Sequence, residues 1–231
     1  MKTMTHCPKL FERSIGVAAL GVLFVATAAA QPAQPMNQQL PPLMNRDDEV
    51  QLALSACPEP VAGKAGVYVL TATGYAKVRE SQNGFTAIVQ HSVPGAQEPQ
   101  CMDEEGGRSI LPRILMLAEL RARGLSPAEI KRAMADALAK GMLHPPTRLG
   151  VDYMLSPRNI VPDDKGVIAP FPPHVMFYAP YMTNAQLGSG GQAAGGPAFV
   201  AGEGSPFALI IVPVRQHSDH AMANMQPPGS P

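Results

Sequence analysis

The fold is decided by the stretch Pro172–Asn184, which reads PPHVMFYAPYMTN. Its centre, Val175–Tyr178, is a short apolar run of aromatic and β-branched residues between prolines, which predicts a buried or half-buried strand. Strand alternation divides the side chains between two faces, with His174, Met176 and Tyr178 on one and Val175 and Phe177 on the other. We expect the rest of the fold to be assembled around this strand.

Further strands are predicted on both sides of it. The most apolar is Phe207–Val214, which we expect in the same sheet. Upstream, Asn83-Gly84 is the strongest hairpin signal of the chain, because a type I′ turn needs positive φ at both central residues. The remaining strand predictions are 67–72, 74–80, 85–91 and 149–155.

Two amphipathic helices are the clearest elements. Ser109–Arg123 repeats its apolar residues with the helical period and ends at Gly124. Ser126-Pro127-Ala128-Glu129 is a capping box that opens a second helix reaching Lys140. An additional short helix, 49–56, is predicted behind Asp47-Asp48, and 92–107 and 156–170 are predicted as loops.

This order of elements favours one fold class. The predicted order is one helix, three strands, two helices and three strands. In this order strands and helices do not alternate, as they would in a parallel α/β sheet. We therefore predict an α+β fold with a largely antiparallel sheet and a helical hairpin packed on one face. The domain should span 47–216, between a Pro/Gln-rich flexible leader (31–46) and a disordered tail (217–231).

The first thirty residues have the pattern of an export signal. A basic segment precedes the uncharged apolar run Ile15–Ala26, and Ala28-Ala29-Ala30 offers a small-residue cleavage site. The alternative is a membrane anchor, but the apolar run is shorter than the roughly 20 residues that a bilayer needs. We expect a periplasmic or secreted protein with no membrane span after cleavage.

The charge of the chain argues against a nucleic-acid partner. Cleavage would remove three basic and one acidic residue from the 18 of each sign, which leaves a net charge near −2. The helical hairpin and its early Lys131 and Arg132 look like a helix-turn-helix, but the charge and the export signal favour a pair of helices covering a sheet.

Two cysteines remain after cleavage, Cys57 and Cys101. In an oxidising compartment a single pair predicts one disulfide. Two buried thiols and a two-cysteine metal site are the alternatives.

One set of residues suggests a metal. His174 and Met176 share a strand face, Met154 lies on a neighbouring predicted strand, and His144 lies upstream. Imidazole and thioether ligands suit Cu(I). The order His144, Met154, His174-x-Met176 resembles the ligand order of periplasmic Cu(I) chaperones, which implies a copper site at these four residues. The spacings differ from that family's, and its β-rich fold has no helical hairpin.

Catalysis is a second possibility. His174 could serve as the general base of a hydrolase, with Asp152 or an acid of Asp103-Glu104-Glu105 as its partner. The acidic run itself is more typical of a solvated loop before a helix. The glycine-rich segment 188–206 is either a mobile surface loop or a lid.

The third possibility needs the fewest special residues. Four aromatic side chains could line a groove for a small ligand, peptide or glycan: Tyr153, Phe171, Tyr178 and Tyr181. Core packing is the alternative for these rings. We favour an exported, non-catalytic binding or envelope-associated domain, whose partner is a small ligand or an envelope protein.

Overall fold

The computed structural model describes residues 40–163 and 166–214. The helices among them are α1 Arg46–Leu54, α2 Glu59–Ala62, α3 Glu104–Ser109, α4 Leu111–Ala122, α5 Pro127–Ala139 and α6 Asn184–Leu187. The strands are β1 Gly66–Thr71, β2 Gly74–Arg79, β3 Thr86–Gln90, β4 Glu98–Met102, β5 Val151–Met154, β6 Ile160–Pro162, β7 Ile168–Pro170, β8 His174–Tyr178, β9 Phe199–Ala201 and β10 Leu209–Pro213. The predicted signal, most of the leader and the tail lie outside the described residues.

Eight strands form one sheet in the order β2-β1-β3-β4-β5-β8-β10-β9, and β6 and β7 form a separate hairpin. Within the eight-stranded sheet, β1 and β3 pair in parallel and the other neighbours are antiparallel. The predicted α+β class with a largely antiparallel sheet is confirmed.

Strand β8 lies inside the sheet, between β5 and β10. His174 stands opposite Met154 on β5, and Met176 stands opposite Asp152. On the other side five residue pairs join β8 to β10, as expected for two strands of one sheet. The side chains of His174, Met176 and Tyr178 are buried, while those of Val175 and Phe177 are half-buried, so the predicted alternation is correct.

Helices cover both faces of the sheet. On one face α1 packs over β1, β3 and β4, where fully buried Leu52 and Val67 belong to one hydrophobic cluster. On the other face α4 packs over the β2 end of the sheet, and Ile114 joins a second cluster with Ile88 and Tyr178. The predicted hairpin is present, but α5 packs on α4, so a single helix of the pair lies against the sheet.

Helix α1 starts earlier than predicted, because its N-cap is Asn45 instead of the Asp47-Asp48 pair. The Asn45 Oδ1 accepts hydrogen bonds from the Asp47 and Asp48 amides. Glu49, which then falls in the first turn, is 2% exposed and accepts a 2.8 Å hydrogen bond from the Leu70 amide. The helix is thus fixed to β1 by a buried polar contact that its sequence pattern does not reveal.

The Asn83-Gly84 hairpin prediction was wrong. Gly84 does have positive φ, but the turn leads from β2 into β3, which passes β2 and pairs with β1 in parallel. The antiparallel hairpin is β1–β2, which turns before Gly74. Asn83 instead anchors the connection, because its Nδ2 donates to the Val61 carbonyl and its Oδ1 accepts from the Phe85 amide.

The predicted loop 92–107 contains the buried strand β4 and most of helix α3. Asp103 caps α3 by accepting a hydrogen bond from the Gly106 amide. Glu105 is 1% exposed and accepts hydrogen bonds from Arg108, Arg148 and the Thr147 amide. The acidic run was predicted as a solvated loop before a helix, but it forms the N-cap and first turn of α3 itself. Glu104 is exposed, whereas Glu105 is a buried structural anchor. The predicted loop 156–170 likewise contains β6 and β7.

The cysteine pair forms the predicted disulfide. Cys57 and Cys101 are bonded across a sequence separation of 44, and their Cα atoms lie 5.0 Å apart. The bond joins the segment after α1 to the middle of β4. Among the described helices none has the length and apolar character that crossing a membrane requires.

Candidate functional site

A cavity of about 230 Å³ lies on the α4 side of the sheet. Its floor consists of alternate residues from six neighbouring strands: Gln90, Glu98, Gln100, Asp152, Met154, His174, Met176, Leu209, Ile211, Phe199 and Ala201. Its walls come from helix α4, from the connections around β6 and β7, and from the segments before β9 and β10: Ile110, Arg113, Val161, Pro162, Asp163, Phe171, Gln192 and Phe207. Most of this lining is apolar, with several polar groups among it, which is typical of a small-molecule site.

Four of the floor residues form a compact square, which we call the β5–β8 patch. Asp152 and Met154 on β5 stand opposite Met176 and His174 on β8. Side chains directly opposite on antiparallel strands have Cβ atoms about 5 Å apart, and diagonal neighbours remain within reach of long side chains. All four residues are at most 4% exposed. The patch therefore concentrates a carboxyl group, an imidazole and two thioethers in a nearly dry place.

Asp152 is the most unusual member of the patch. It is 1% exposed, and its Oδ1 atom has no hydrogen-bond partner among the described residues. Burial raises the pKa of this carboxyl well above its ordinary value of 3.8, and the nearby charge of Asp103 raises the pKa further. A backbone hydrogen bond from Cys101 has the opposite effect and lowers the pKa. Buried polar atoms in folded proteins nearly always have partners, so this oxygen is a group available to something in the cavity.

His174 presents its second ring nitrogen without a partner in the same region. Its Nδ1 lies 2.9 Å from the Pro172 carbonyl oxygen, and since a carbonyl only accepts, Nδ1 carries the proton. Burial lowers the pKa of His174, which favours the neutral ring, so Nε2 keeps its lone pair. The Phe171 ring meets the imidazole edge-on at 4.9 Å and fixes its orientation.

Glu98 contributes a second buried carboxyl group at the β3–β4 end of the cavity. It accepts hydrogen bonds of 2.8 Å from both the amide and the hydroxyl of Ser92. Burial nevertheless raises its pKa to about 7, against the opposing effects of these bonds and of the Arg121 and Arg113 charges. Glu98 is therefore partly ionised near neutral pH.

The glycine-rich segment forms part of the wall. Phe171, Gln192 and Phe199 line the cavity and also an outer groove of about 570 Å³. The short 3₁₀ helix Gln192–Ala194 lies between glycines with positive φ, Gly191 and Gly195. This segment lies where the cavity meets the surface, which is the position that a lid requires. Its movement as a lid remains a prediction.

The structure brings together three of the four residues predicted to bind copper. Met154, His174 and Met176 belong to the β5–β8 patch, whereas His144 is an exposed residue of the connection between α5 and β5 and does not line the cavity. No group of three or more His, Cys, Asp or Glu side chains suited to a metal occurs in the described part of the chain. A copper site here would thus depend on the two methionines.

The four predicted groove aromatics do not share a groove. Phe171 lines the cavity. Tyr153 lies on the opposite face of the sheet and stacks on Phe85 at 6.2 Å, and Tyr178 is buried in the core under α3. Tyr181 is 62% exposed, with positive φ. Of the candidate partners for His174, Asp152 is its diagonal neighbour, while the acidic run supports helix α3.

Several cavity residues were not predicted from the sequence, namely Gln90, Glu98, Gln100 and Arg113. The first three are polar residues at alternate positions of buried strands. One signal was available, because Glu98 and Gln100 lie within three residues before Cys101, and the predicted disulfide would bury that segment.

Comparison of the chain with protein families, with curated proteins and with solved structures gives no match.

Proposed function

We propose that the chain is an exported, non-catalytic domain that binds a small, mainly apolar molecule in the cavity above β5 and β8. The observation that carries the proposal is the Asp152 carboxyl group, which is buried, lines the cavity and has an oxygen without a partner among the described residues. A domain that needed this position only for packing would be more stable with an apolar side chain there.

Export is part of the proposal. The Cys57–Cys101 disulfide is of the kind that persists in oxidising compartments, and it supports the signal sequence predicted at residues 1–30. A periplasmic or secreted protein with an internal cavity would meet its ligand outside the cytoplasm.

The test combines native mass spectrometry of the exported protein with NMR of its methionine methyl groups. Met154 and Met176 report on the cavity floor, and Met142, which is 66% exposed, serves as the internal reference. We expect either a co-purifying mass that is lost on denaturation or selective shifts of the two cavity methyl groups with members of a fragment set.

A matched pair of variants ties the signal to the cavity. Ala201→Trp would fill it from β9, whereas Ala185→Trp adds the same side chain at an exposed position of α6. Binding should be lost in the first variant and kept in the second. If no mass co-purifies and no fragment moves the cavity methyl groups of the wild type, the proposed function is wrong.

A second candidate is Cu(I) binding by the β5–β8 patch. The observation that favours it is the register, which sets Met154 directly opposite His174 with Met176 next to it on the same face. Two thioethers and an imidazole with a free Nε2 are soft ligands that suit Cu(I).

Competition of the protein against a Cu(I) chelator tests this candidate. The double variant His174→Ala with Met176→Leu should lose affinity, and Met142→Leu should behave as the wild type because Met142 is exposed outside the cavity. Equal chelator competition by the wild type and the double variant would exclude the patch as a copper site.

The hydrolase alternative, with His174 as general base, remains a prediction. Among the described residues the cavity lining contains no serine, threonine or cysteine, so a reaction here would use water or a carboxylate as the nucleophile.

A further inference from the structure

The polar atoms that face the cavity favour a ligand that donates hydrogen bonds. Asp152 Oδ1 and His174 Nε2 are acceptors with no partner among the described residues. Two donors of the floor are in use, since Nδ1 of His174 faces the Pro172 carbonyl and Nε2 of Gln100 donates to Gln90 at 2.9 Å. A ligand group with several N–H donors would complement these acceptors.

The charges favour a cation. Asp152 and Glu98 both line the cavity, and Arg113, the basic residue of the lining, lies over the Phe207 ring, 5.5 Å from its centroid. An isolated buried carboxylate is costly unless an opposite charge accompanies it. A positively charged ligand group at Asp152 would supply that charge where no described residue forms an ion pair with it.

The remaining lining favours an apolar body of about the size of one ring. Phe171 and Phe199 meet at right angles with centroids 6.4 Å apart, beside the Met154 and Met176 thioethers. Aromatic faces and thioethers attract both apolar groups and cations. An engineered apolar cavity of about 150 Å³ holds benzene, so 230 Å³ leaves room for a ring with a short side chain.

We propose that the ligand is a small primary amine with an apolar body, whose ammonium group binds the Asp152 carboxylate while its apolar part lies against Phe171, Phe199 and Met176. This inference rests on the proposed ligand-binding function. Because an ammonium group favours the ionised carboxylate, binding lowers the pKa of Asp152. At any pH where the free protein holds the proton, the carboxylic acid and the ammonium ion become an ion pair and one proton is released to the solvent.

The experiment compares three probes of one shape on the full exported protein: 2-phenylethylamine, 2-phenylethanol and ethylbenzene. Calorimetry at neutral pH should give the amine an affinity about ten- to a hundredfold higher than the alcohol, as expected for hydrogen bonds to a charged group. Repeating the titration between pH 4.5 and pH 8, in two buffers of different ionisation enthalpy at each pH, should show net proton release for the amine below the folded pKa of Asp152 and none for the alcohol.

Two variants test whether the amine binds at Asp152. Asp152→Asn should reduce the affinity for the amine to about that for the alcohol, whereas Asp48→Asn, at an exposed position of α1, should change neither affinity. Proton release is measured on the wild type, so the test stands even if Asp152→Asn does not fold.

The possible failures are distinguishable. If the alcohol or ethylbenzene binds as tightly as the amine, or if amine binding releases no proton at any pH between 4.5 and 8, the amine inference is wrong and the ligand-binding function stands. If none of the three probes binds and none moves the Met154 and Met176 methyl resonances, the amine inference is wrong, and the proposed function then depends on the fragment set alone.

Discussion

Replacing Asp152 by asparagine should change how the stability of the protein depends on pH. The carboxyl group is 1% exposed, and burial raises its pKa well above 3.8 in the folded chain, while the unfolded chain titrates near that ordinary value. Between these two values the unfolded state loses a proton that the folded state keeps. Stability is therefore lost as the pH rises through this window, and it is unaffected below it.

The magnitude follows from the size of the window. Each pH unit between the two pKa values costs the folded state about 1.4 kcal/mol relative to the unfolded state. Asparagine does not titrate, so the stability difference between Asp152→Asn and the wild type should grow by about 1.4 kcal/mol per pH unit from pH 4 upward and level off above the folded pKa. If the asparagine amide itself lowers stability by a constant amount, the stability difference shifts by that amount at every pH and its slope against pH does not change.

Urea unfolding of both proteins between pH 4 and pH 8, with the disulfide intact, measures the difference directly. Contributions from Glu98, Glu49 and the buried histidines are common to both proteins and largely cancel. Asp48→Asn is the control that makes the same substitution at an exposed position of α1. Parallel curves for Asp152→Asn and the wild type would refute the argument, because they would mean that the folded protein accommodates the ionised carboxylate as well as water does.

Three further predictions concern the frame around the cavity. Replacing Cys57 and Cys101 by alanine should lower the free energy of unfolding by about 4 kcal/mol, the loop-entropy value for a separation of 44 residues; a loss below about 1 kcal/mol in urea titrations would contradict it. Gly106→Ala should destabilise the protein by about 3 kcal/mol or more, because the new Cβ would overlap the Tyr178 hydroxyl. Gly107→Ala meets no described atom within 4 Å and should stabilise helix α3 by about 0.5–1 kcal/mol, so equal melting temperatures for the two variants would be the contrary result. Glu98→Gln should remove a loss of stability that the wild type shows between pH 4.5 and about 7, since a raised carboxyl pKa costs stability over that window, and an unchanged pH profile of the melting temperature would count against it.

The local signals of the sequence were sufficient for the elements that carry their own pattern. The alternation of β8, the apolar run of β10 and the Ser126 capping box all specify structure within a few residues, and all three are present. The cysteine pair was predictable because only one pairing was available outside the predicted export signal.

Elements whose burial or strand pairing depends on residues far away in the sequence could not be predicted. Strand β4 has the sequence EPQCM, in which alternate residues are polar because they face the cavity, yet all five are buried. Asn83-Gly84 forms a turn with the expected backbone, but the tertiary structure gives β1 rather than β2 as the partner of β3. Turn chemistry fixes a local bend and does not choose the neighbour of the strand that follows.

Only part of the candidate site could be predicted from the sequence, because the pairing of its strands is determined by the tertiary structure. Alternation placed His174 and Met176 on one face and Asp152 with Met154 on another strand, but the register that makes these four a patch is a property of the pairing of β5 with β8. Glu98 and Gln100 reach the cavity through β4, which the sequence did not predict. Aromatic character alone misplaced Tyr153 and Tyr178, because both faces of this sheet are covered and aromatic rings occur on each.

The junction between β4 and β5 has a consequence for how the chain could be divided. The ladder there pairs Cys101 with Tyr153 and Met102 with Asp152, and helices α4 and α5 occupy the sequence in between. The cavity straddles this junction, with Glu98 supplied by the N-terminal segment and Asp152 by the C-terminal one. A break in the chain between α5 and β5 would yield two fragments that each carry one side of the binding surface. A molecule bound in the cavity would then contact both fragments and stabilise their association. Complementation of the two fragments would therefore report on ligand binding.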